Sequence, residues 1–251
     1  MSFSRALVHS YKQHLLESKA GVSSINLSLA AIRLLAKEGA ANGLLDEQVA
    51  ASIRSIHGVA QSGTRAGNWL TLDQGMELLC APDQCTARGR RDFLLLGLLV
   101  GCGLRREEAC SLTTAHVQWR DGRLLLVDIT GKGRRIRTVP IPQMMWDTLG
   151  TWMREIGDGP LLRALTTHGT VTENPISGTT AYDVVLYYAR KLGIEVAPHD
   201  LRRTFAKLAL RGGSKIEQIQ ITLGHSSVQT TERYLGVELD LENPVCEKLG
   251  L

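Results

Sequence analysis

The sequence lacks several features that would assign it to a common class of protein. Its 251 residues include 5 cysteines, an odd number without the close spacing of a zinc site. No basic segment followed by an apolar run opens the chain, so no signal peptide is expected. The longest apolar run, residues 93–100, is too short to span a bilayer. These absences favour a cytoplasmic protein with free thiols.

Neither charge nor composition selects a partner. The chain has 29 basic and 25 acidic residues, which gives a formal net charge of +4. This excess permits a polyanionic partner, and it fits a slightly basic protein without one equally well. Ordinary apolar and charged fractions indicate a globular protein, and the length suffices for one large domain or two modest ones.

The apolar pattern divides the chain into two parts. Residues 1–60 carry apolar side chains at helical spacing, which predicts a small helical domain. Residues 61–68 are rich in glycine and small polar residues and are interpreted as a linker before a second domain, 69–251. In the second helix, the following residues are expected to form the buried face: Ile25, Leu27, Leu29, Ile32, Leu34 and Leu35.

The second domain is predicted to be mainly α-helical with a small antiparallel β-sheet. Residues 92–100 are hydrophobic on all sides, which indicates a buried central helix. A period of two over 123–129 and 136–141 predicts a β-hairpin with Lys132 at its tip. An exposed turn lysine is the ordinary interpretation of Lys132, and a mobile proton donor is the functional one. Residues 157–179 give no readable pattern.

Arg105 stands where a helix is expected to begin. Free N–H groups and the helix dipole make this end positive, so a cation there fits better if an anion is also bound. Glu108, three residues later, is placed to pair with Arg105 and to hold its rotamer. A solvated surface arginine is the alternative for Arg105.

The region 198–235 gathers further residues that suit chemistry on an anion. His199 and Arg202 are expected to share one face at the start of a helix, where the dipole keeps His199 neutral and able to accept a proton. His225 follows Gly224 in a tight turn between helices. Tyr234 comes nine residues later. A helix-capping role for His199 and a packing role for Tyr234 are the alternatives.

The combined set of side chains indicates phosphoryl transfer. It contains arginines, a lysine, histidines and a tyrosine, and it contains neither a carboxylate pair nor a metal cage. Guanidinium groups match phosphate oxygens in bidentate geometry. A tyrosine oxygen is a competent nucleophile once a base takes its proton. The sequence therefore predicts a site that stabilises charge with fixed cations and needs no metal ion or cofactor.

The order and spacing of these motifs resemble the tyrosine recombinase (phage integrase) family. The motifs are Gly103-Leu104-Arg105 with Glu108, Gly131-Lys132-Gly133, His199-Asp200-Leu201-Arg202, Leu223-Gly224-His225, and Tyr234. The resemblance covers residues 69–240, and residues 1–60 look like a shortened core-binding domain. It implies a two-domain architecture, in which a helical, SAM-like DNA-binding domain precedes an α+β catalytic domain.

The resemblance also implies a mechanism on double-stranded DNA. The enzyme would cleave and rejoin DNA at specific sites through a 3′-phosphotyrosyl bond, without ATP. The implied roles are nucleophile for Tyr234, phosphate ligands for Arg105, Arg202 and His225, leaving-group acid for Lys132, base for His199 and support of Arg105 for Glu108.

Further expectations follow from the same resemblance. A homotetramer on paired recombination sites is implied, with residues 237–245 packed either on a neighbouring protomer or on their own domain. The short helical part favours the simple recombinase type over the arm-binding integrase type. The alternatives are a type IB topoisomerase-like nicking and closing enzyme and a DNA-binding protein that has lost the chemistry.

Overall fold

A computed structural model of the chain describes residues 3–60, 68–131 and 135–235. The side chains of Ser23 and Arg233 lie outside this description, as does that of Tyr234, the expected nucleophile.

Some predictions fall on parts of the chain that are not described. Lys132, the expected hairpin-tip lysine, lies outside the described residues, and so do 61–67 of the expected linker and the 237–245 segment. In the described part, none of the helices combines the length and the apolar character that crossing a bilayer requires. Contacts divide the chain into unit 1, Met1–Arg65, and unit 2, Ala66–Leu251.

Unit 1 is helical, as its apolar spacing predicts. Its helices are α1 (Arg5–Glu17), α2 (Val22–Ala41) and α3 (Glu47–Arg54). Helix α3 begins directly after Asp46, because the Asp46 carboxylate accepts hydrogen bonds from the backbone N–H groups of Gln48 and Val49. The core of the unit forms around Ile25, Leu29 and Ile53.

The predicted buried face of α2 is wrong for half of its residues. Leu27, Leu34 and Leu35 are exposed, and Leu27 keeps 73% of its surface accessible. Each residue turns an α-helix by about 100°, so Leu27 and Leu34 point nearly opposite to Ile25. The buried stripe instead combines Ile25 and Leu29 with residues further along that share their face.

Unit 2 surrounds one buried helix. Its helices are α4 (Leu72–Cys80), α5 (Ala87–Val100), α6 (Arg106–Ser111), α7 (Trp146–Ile156), α8 (Gly178–Lys191), α9 (Pro198–Arg211), α10 (Ile216–Leu223) and α11 (Val228–Leu235). Helix α5 is the predicted apolar helix, and it contacts α4, α6, α7, α8 and α9. Helix α4 begins with a capping box between Thr71 and Gln74.

Two small antiparallel sheets complete unit 2, and the sequence predicted only part of them. The predicted hairpin is present as β2 (Arg123–Thr130) and β3 (Ile136–Pro140), with β1 (Val117–Arg120) on the other side of β2. Strands β4 (Arg163–Leu165) and β5 (Val171–Pro175) pair with each other and form a second sheet. Strands β1 and β4 were not predicted because they have only 4 and 3 residues, and β5 was missed because its burial does not alternate along the strand.

Candidate active site

A pocket of about 760 Å³ opens where α6, α8 and the start of α9 meet the end of β2. Arg105, Glu108, His199 and Arg202 line it, so side chains almost a hundred positions apart meet in one place. Tyr182 of α8 also lines the pocket, and sequence reasoning did not select it.

Arg105 and Glu108 form the predicted pair at the start of α6. The Arg105 guanidinium donates to the Glu108 carboxylate with Nη1 to Oε1 at 2.7 Å. The backbone N–H of Arg105 donates to the other oxygen, Oε2, at 2.8 Å. Glu108 therefore caps the helix and orients the arginine with the same carboxylate.

Arg137 of β3 is a member of the site that sequence reasoning missed. Its Nη2 and Nη1 donate to Oε2 and Oε1 of Glu108 at 2.7 and 3.2 Å. Its Nε donates to the carbonyl oxygen of Thr222, at the end of α10, at 2.8 Å. The available signal was strand alternation, which puts residue 137 on the inward face with Val139. A charged residue on an inward face is rare unless it is paired.

Arg202 ties α9 to both halves of the site. Only 2% of its surface is accessible, and its guanidinium donates to the carbonyl oxygens of Gly103 and Leu223. Its Nη1 lies 4.0 Å from Oε2 of Glu108. The loop before α6 and the end of α10 are thus joined through one buried cation.

His225 sits in a turn that glycine makes possible. Gly224 follows the last residue of helix α10, and its φ of +64° is the left-handed conformation that glycine commonly adopts at a helix end. A Cβ there would also lie 3.2 Å from Cδ of Arg137. The Nδ1 atom of His225 lies 3.0 Å from the hydroxyl oxygen of Thr231, a buried residue of α11. Thr231 was not selected from the sequence.

Helix α11 also carries Tyr234, one turn after Thr231. Its backbone is described and its side chain is not, so its catalytic role stays a prediction.

Burial and the surrounding arginines set the ionisation of the site. Burial would raise the pKa of Glu108, but hydrogen bonds from Arg137 and from the Arg105 backbone outweigh it and lower that pKa to about 2. Burial, together with the charges of Arg202 and Arg105, lowers the pKa of His225 to about 4. Burial and the charges of Arg203 and Arg202 also lower the pKa of His199. Near pH 7 the carboxylate is charged and the imidazoles are neutral.

The lowered pKa of Glu108 predicts a specific pH dependence of stability. Because the pKa falls on folding, the unfolded chain binds the extra proton, so the stabilisation is complete above about pH 5 and is lost as the pH falls towards 2. The advantage of wild type over Glu108→Gln in free energy of unfolding should shrink by up to about 3 kcal/mol across that range.

Urea unfolding followed by tryptophan fluorescence measures this difference. All 4 tryptophans belong to unit 2, so the signal reports on the unit that contains the site. Glu173→Gln, an exposed substitution on β5, serves as the control and should show no such trend. A wild-type advantage that stays constant from pH 6 to pH 2 would contradict the assignment.

The arrangement suits a phosphodiester and does not resemble a metal centre. In the described ranges, no group of three or more His, Cys, Asp or Glu side chains is placed to hold a metal ion. Arg105, Arg137 and Arg202 carry three positive charges around the single carboxylate of Glu108, so the cluster keeps an excess of positive charge. Fixed cations of this kind stabilise the charge that develops on a phosphoryl group in its transition state.

Comparison with known proteins agrees with this chemistry. A model of the phage integrase family matches residues 68–239. Tyrosine recombinase XerA of Pyrococcus furiosus is 36% identical over 148 residues, which make up 59% of this chain and 50% of the relative. Tyrosine recombinase XerD of Xanthomonas axonopodis pv. citri is 35% identical over 178 residues, 66% of this chain and 57% of the relative. The chain thus spans little more than half the length of these relatives.

A solved structure supports the fold. The structure of the Tn1549 transposon integrase in complex with a circular intermediate DNA superposes with a TM-score of 0.74 at 15% identity. The match covers 100% of this chain and 86% of the integrase chain. At this level of identity the similarity establishes the fold alone.

Proposed function

The chain belongs to the phage integrase family, and from this premise we propose that it is a site-specific recombinase that cleaves and rejoins double-stranded DNA. The observation that carries the proposal is the meeting of Arg105, Arg202 and Glu108 at one pocket, in a unit whose last described helix bears Tyr234. The site offers cations for a phosphate and a tyrosine for attack.

The proposed cleavage step is an in-line displacement at the scissile phosphate. The hydroxyl oxygen of Tyr234 bonds to phosphorus, its proton passes to His199, and the bond from phosphorus to the 5′ oxygen breaks. Lys132 gives a proton to that leaving oxygen, so a free 5′-hydroxyl forms. Attack by a 5′-hydroxyl from a second strand reverses the step and completes strand exchange, with no net change in bond type and no need for ATP.

The arginines and His225 act on the non-bridging oxygens. Arg105 and Arg202 bind these oxygens and stabilise the charge that grows in the transition state. His225 is neutral near pH 7, so it donates one hydrogen bond from Nε2–H. That tautomer requires Nδ1 to accept a hydrogen bond, and the Thr231 hydroxyl at 3.0 Å supplies it.

Removal of the Thr231 hydroxyl should therefore slow cleavage. In Thr231→Val, the His225 tautomer loses its partner, and we expect the cleavage rate to fall about tenfold, the equivalent of one hydrogen bond. Thr231→Ser keeps the hydroxyl and should cleave close to the wild-type rate. Single-turnover cleavage gives the rates, and ¹⁵N NMR of His225 reports the tautomer. Equal losses in the two variants would instead indicate that Thr231 acts through packing.

The architecture and partners are proposed on the same basis. Residues 1–60 serve as a DNA-binding core-binding domain, 61–68 as a linker and 69–251 as the catalytic domain. The protein assembles as a homotetramer on paired recombination sites. The reaction takes place in the cytoplasm, because the cysteine content fits a reducing compartment.

Trapping the DNA target tests the proposal. Protein–DNA adducts recovered from cells that make the protein are sequenced, and the sequence is rebuilt as a duplex with a nick beside the cleavage position. We call this substrate the trapped-site duplex. Wild-type protein should accumulate a covalent adduct on it. With two labelled duplexes of the same sequence that carry no nick, the protein should exchange strands between them.

Two outcomes would overturn the proposal. Relaxation of supercoiled plasmid without strand exchange between two sites would identify a nicking and closing enzyme of the type IB kind. Binding without any adduct would identify a DNA-binding protein that has lost the chemistry.

A further inference from the structure

We infer that Arg137 is a positioning residue that sets the phosphate-binding geometry of Arg105 and of His225 together. This inference rests on the proposed function. Arg137 does not line the pocket of about 760 Å³ that Arg105 and Arg202 line. It acts through two groups that it holds, the Glu108 carboxylate and the end of α10.

The first of these groups controls Arg105. Glu108 binds the Arg105 guanidinium through Oε1, and Arg137 binds both oxygens of the same carboxylate. A carboxylate held by a bidentate guanidinium keeps a fixed plane, so its remaining partner is also fixed. Without Arg137, the bidentate contact that fixes the plane of the Glu108 carboxylate is lost, so the carboxylate defines the orientation of the Arg105 guanidinium less strictly.

The second group controls His225. Arg137 donates to the carbonyl oxygen of Thr222, and Arg202 donates to that of the next residue, Leu223. Cations at the end of a helix stabilise these otherwise unpaired carbonyls. The turn that carries His225 starts directly after these carbonyls, so Arg137 and Arg202 together fix the position at which the turn begins.

The surroundings of Arg137 leave no room for the cluster to shift. Only 8% of its surface is accessible. A Cβ on Gly131 would lie 3.2 Å from Nη1 of Arg137 and 3.4 Å from Oε1 of Glu108, so the backbone closes over the ion pair. Only a planar group with donors at three nitrogens satisfies the carboxylate and the Thr222 carbonyl at once, which lysine cannot do.

The test compares two forms of the scissile linkage in the trapped-site duplex. One form has the ordinary phosphodiester. The other has a methylphosphonate, in which a methyl group replaces one non-bridging oxygen, so the linkage lacks the negative charge that Arg105 and Arg202 bind. Arg137→Lys should slow single-turnover cleavage of the phosphodiester about thirtyfold, because the bound oxygens and their donors no longer align. On the methylphosphonate the same variant should lose less than about threefold, because a methyl group replaces one non-bridging oxygen and the linkage carries one negative charge fewer, so the alignment of the donors matters less.

Arg163→Lys is the matched control. Arg163 is a strand arginine with 7% exposure that donates to the carbonyl oxygens of Asp158 and Pro160. Its replacement should lower stability without any preference between the two substrates. The inference would be overturned if Arg137→Lys lost the same factor in cleavage rate on both substrates. It would also be overturned if this variant cleaved the phosphodiester at the wild-type rate. Failure of wild-type protein to form an adduct would overturn the proposed function instead.

Discussion

Replacement of Tyr234 by phenylalanine is expected to abolish the covalent adduct on the trapped-site duplex and to leave DNA binding unchanged. Phenylalanine keeps the ring and removes the oxygen that attacks phosphorus, so no phosphotyrosyl bond can form. The expected loss exceeds the detection range of the assay, because phenylalanine offers no oxygen for the attack. Adduct formation is measured on denaturing gels, and DNA binding is measured by fluorescence anisotropy.

Tyr182 supplies a demanding control for this experiment. It is a second tyrosine that lines the pocket with Arg105 and His199. Tyr182→Phe should still form the adduct, since Tyr182 lies on α8 and not on the helix expected to carry the nucleophile. If Tyr182→Phe loses the adduct while Tyr234→Phe retains it, the nucleophile has been assigned to the wrong tyrosine.

Arg202→Lys is expected to slow cleavage about a thousandfold, the upper end of the effect of one transition-state donor. Lysine keeps the positive charge, but its single ammonium cannot reach the carbonyl oxygens of Gly103 and Leu223 and also bind a phosphate oxygen. Both the ligand and the support of the site are therefore lost. Single-turnover cleavage at saturating protein separates this loss from weaker binding.

Arg211→Lys is the control for Arg202 because it changes an exposed arginine in the last turn of the same helix. It should cleave at the wild-type rate. Circular dichroism and urea unfolding establish that Arg202→Lys is folded under the assay conditions. A folded Arg202→Lys protein that cleaves within about threefold of wild type would exclude the proposed role, since a lost phosphate ligand costs far more.

The features that the sequence predicted well depend on local chemistry. The buried apolar helix α5 and the turn at Gly224 follow from residues close together in the chain. The pairing of Arg105 with Glu108 is also local, because three residues separate them on one helix turn.

The features that it missed depend on tertiary contacts. The residues next to Arg137 in the chain do not indicate its contacts with Glu108, which is 29 residues away, or with Thr222, which is 85 residues away. The hydrogen bond between Thr231 and His225 depends on how the turn after Gly224 folds back. The prediction of the buried face of α2 failed for a different reason. Leucines occur on both sides of that helix, and only the packing determines which of them are buried.

The shared carboxylate of Glu108 has a consequence for how this protein can change during evolution. Its two oxygens bind both Arg105 and Arg137, so loss of Glu108 leaves the buried Arg137 without its carboxylate, and loss of Arg137 removes two donors from the buried Glu108. Drift at either position of this buried pair is therefore costly unless the other changes with it. The two residues should be inherited as a unit, and descendants that lose one should carry a compensating replacement at the other.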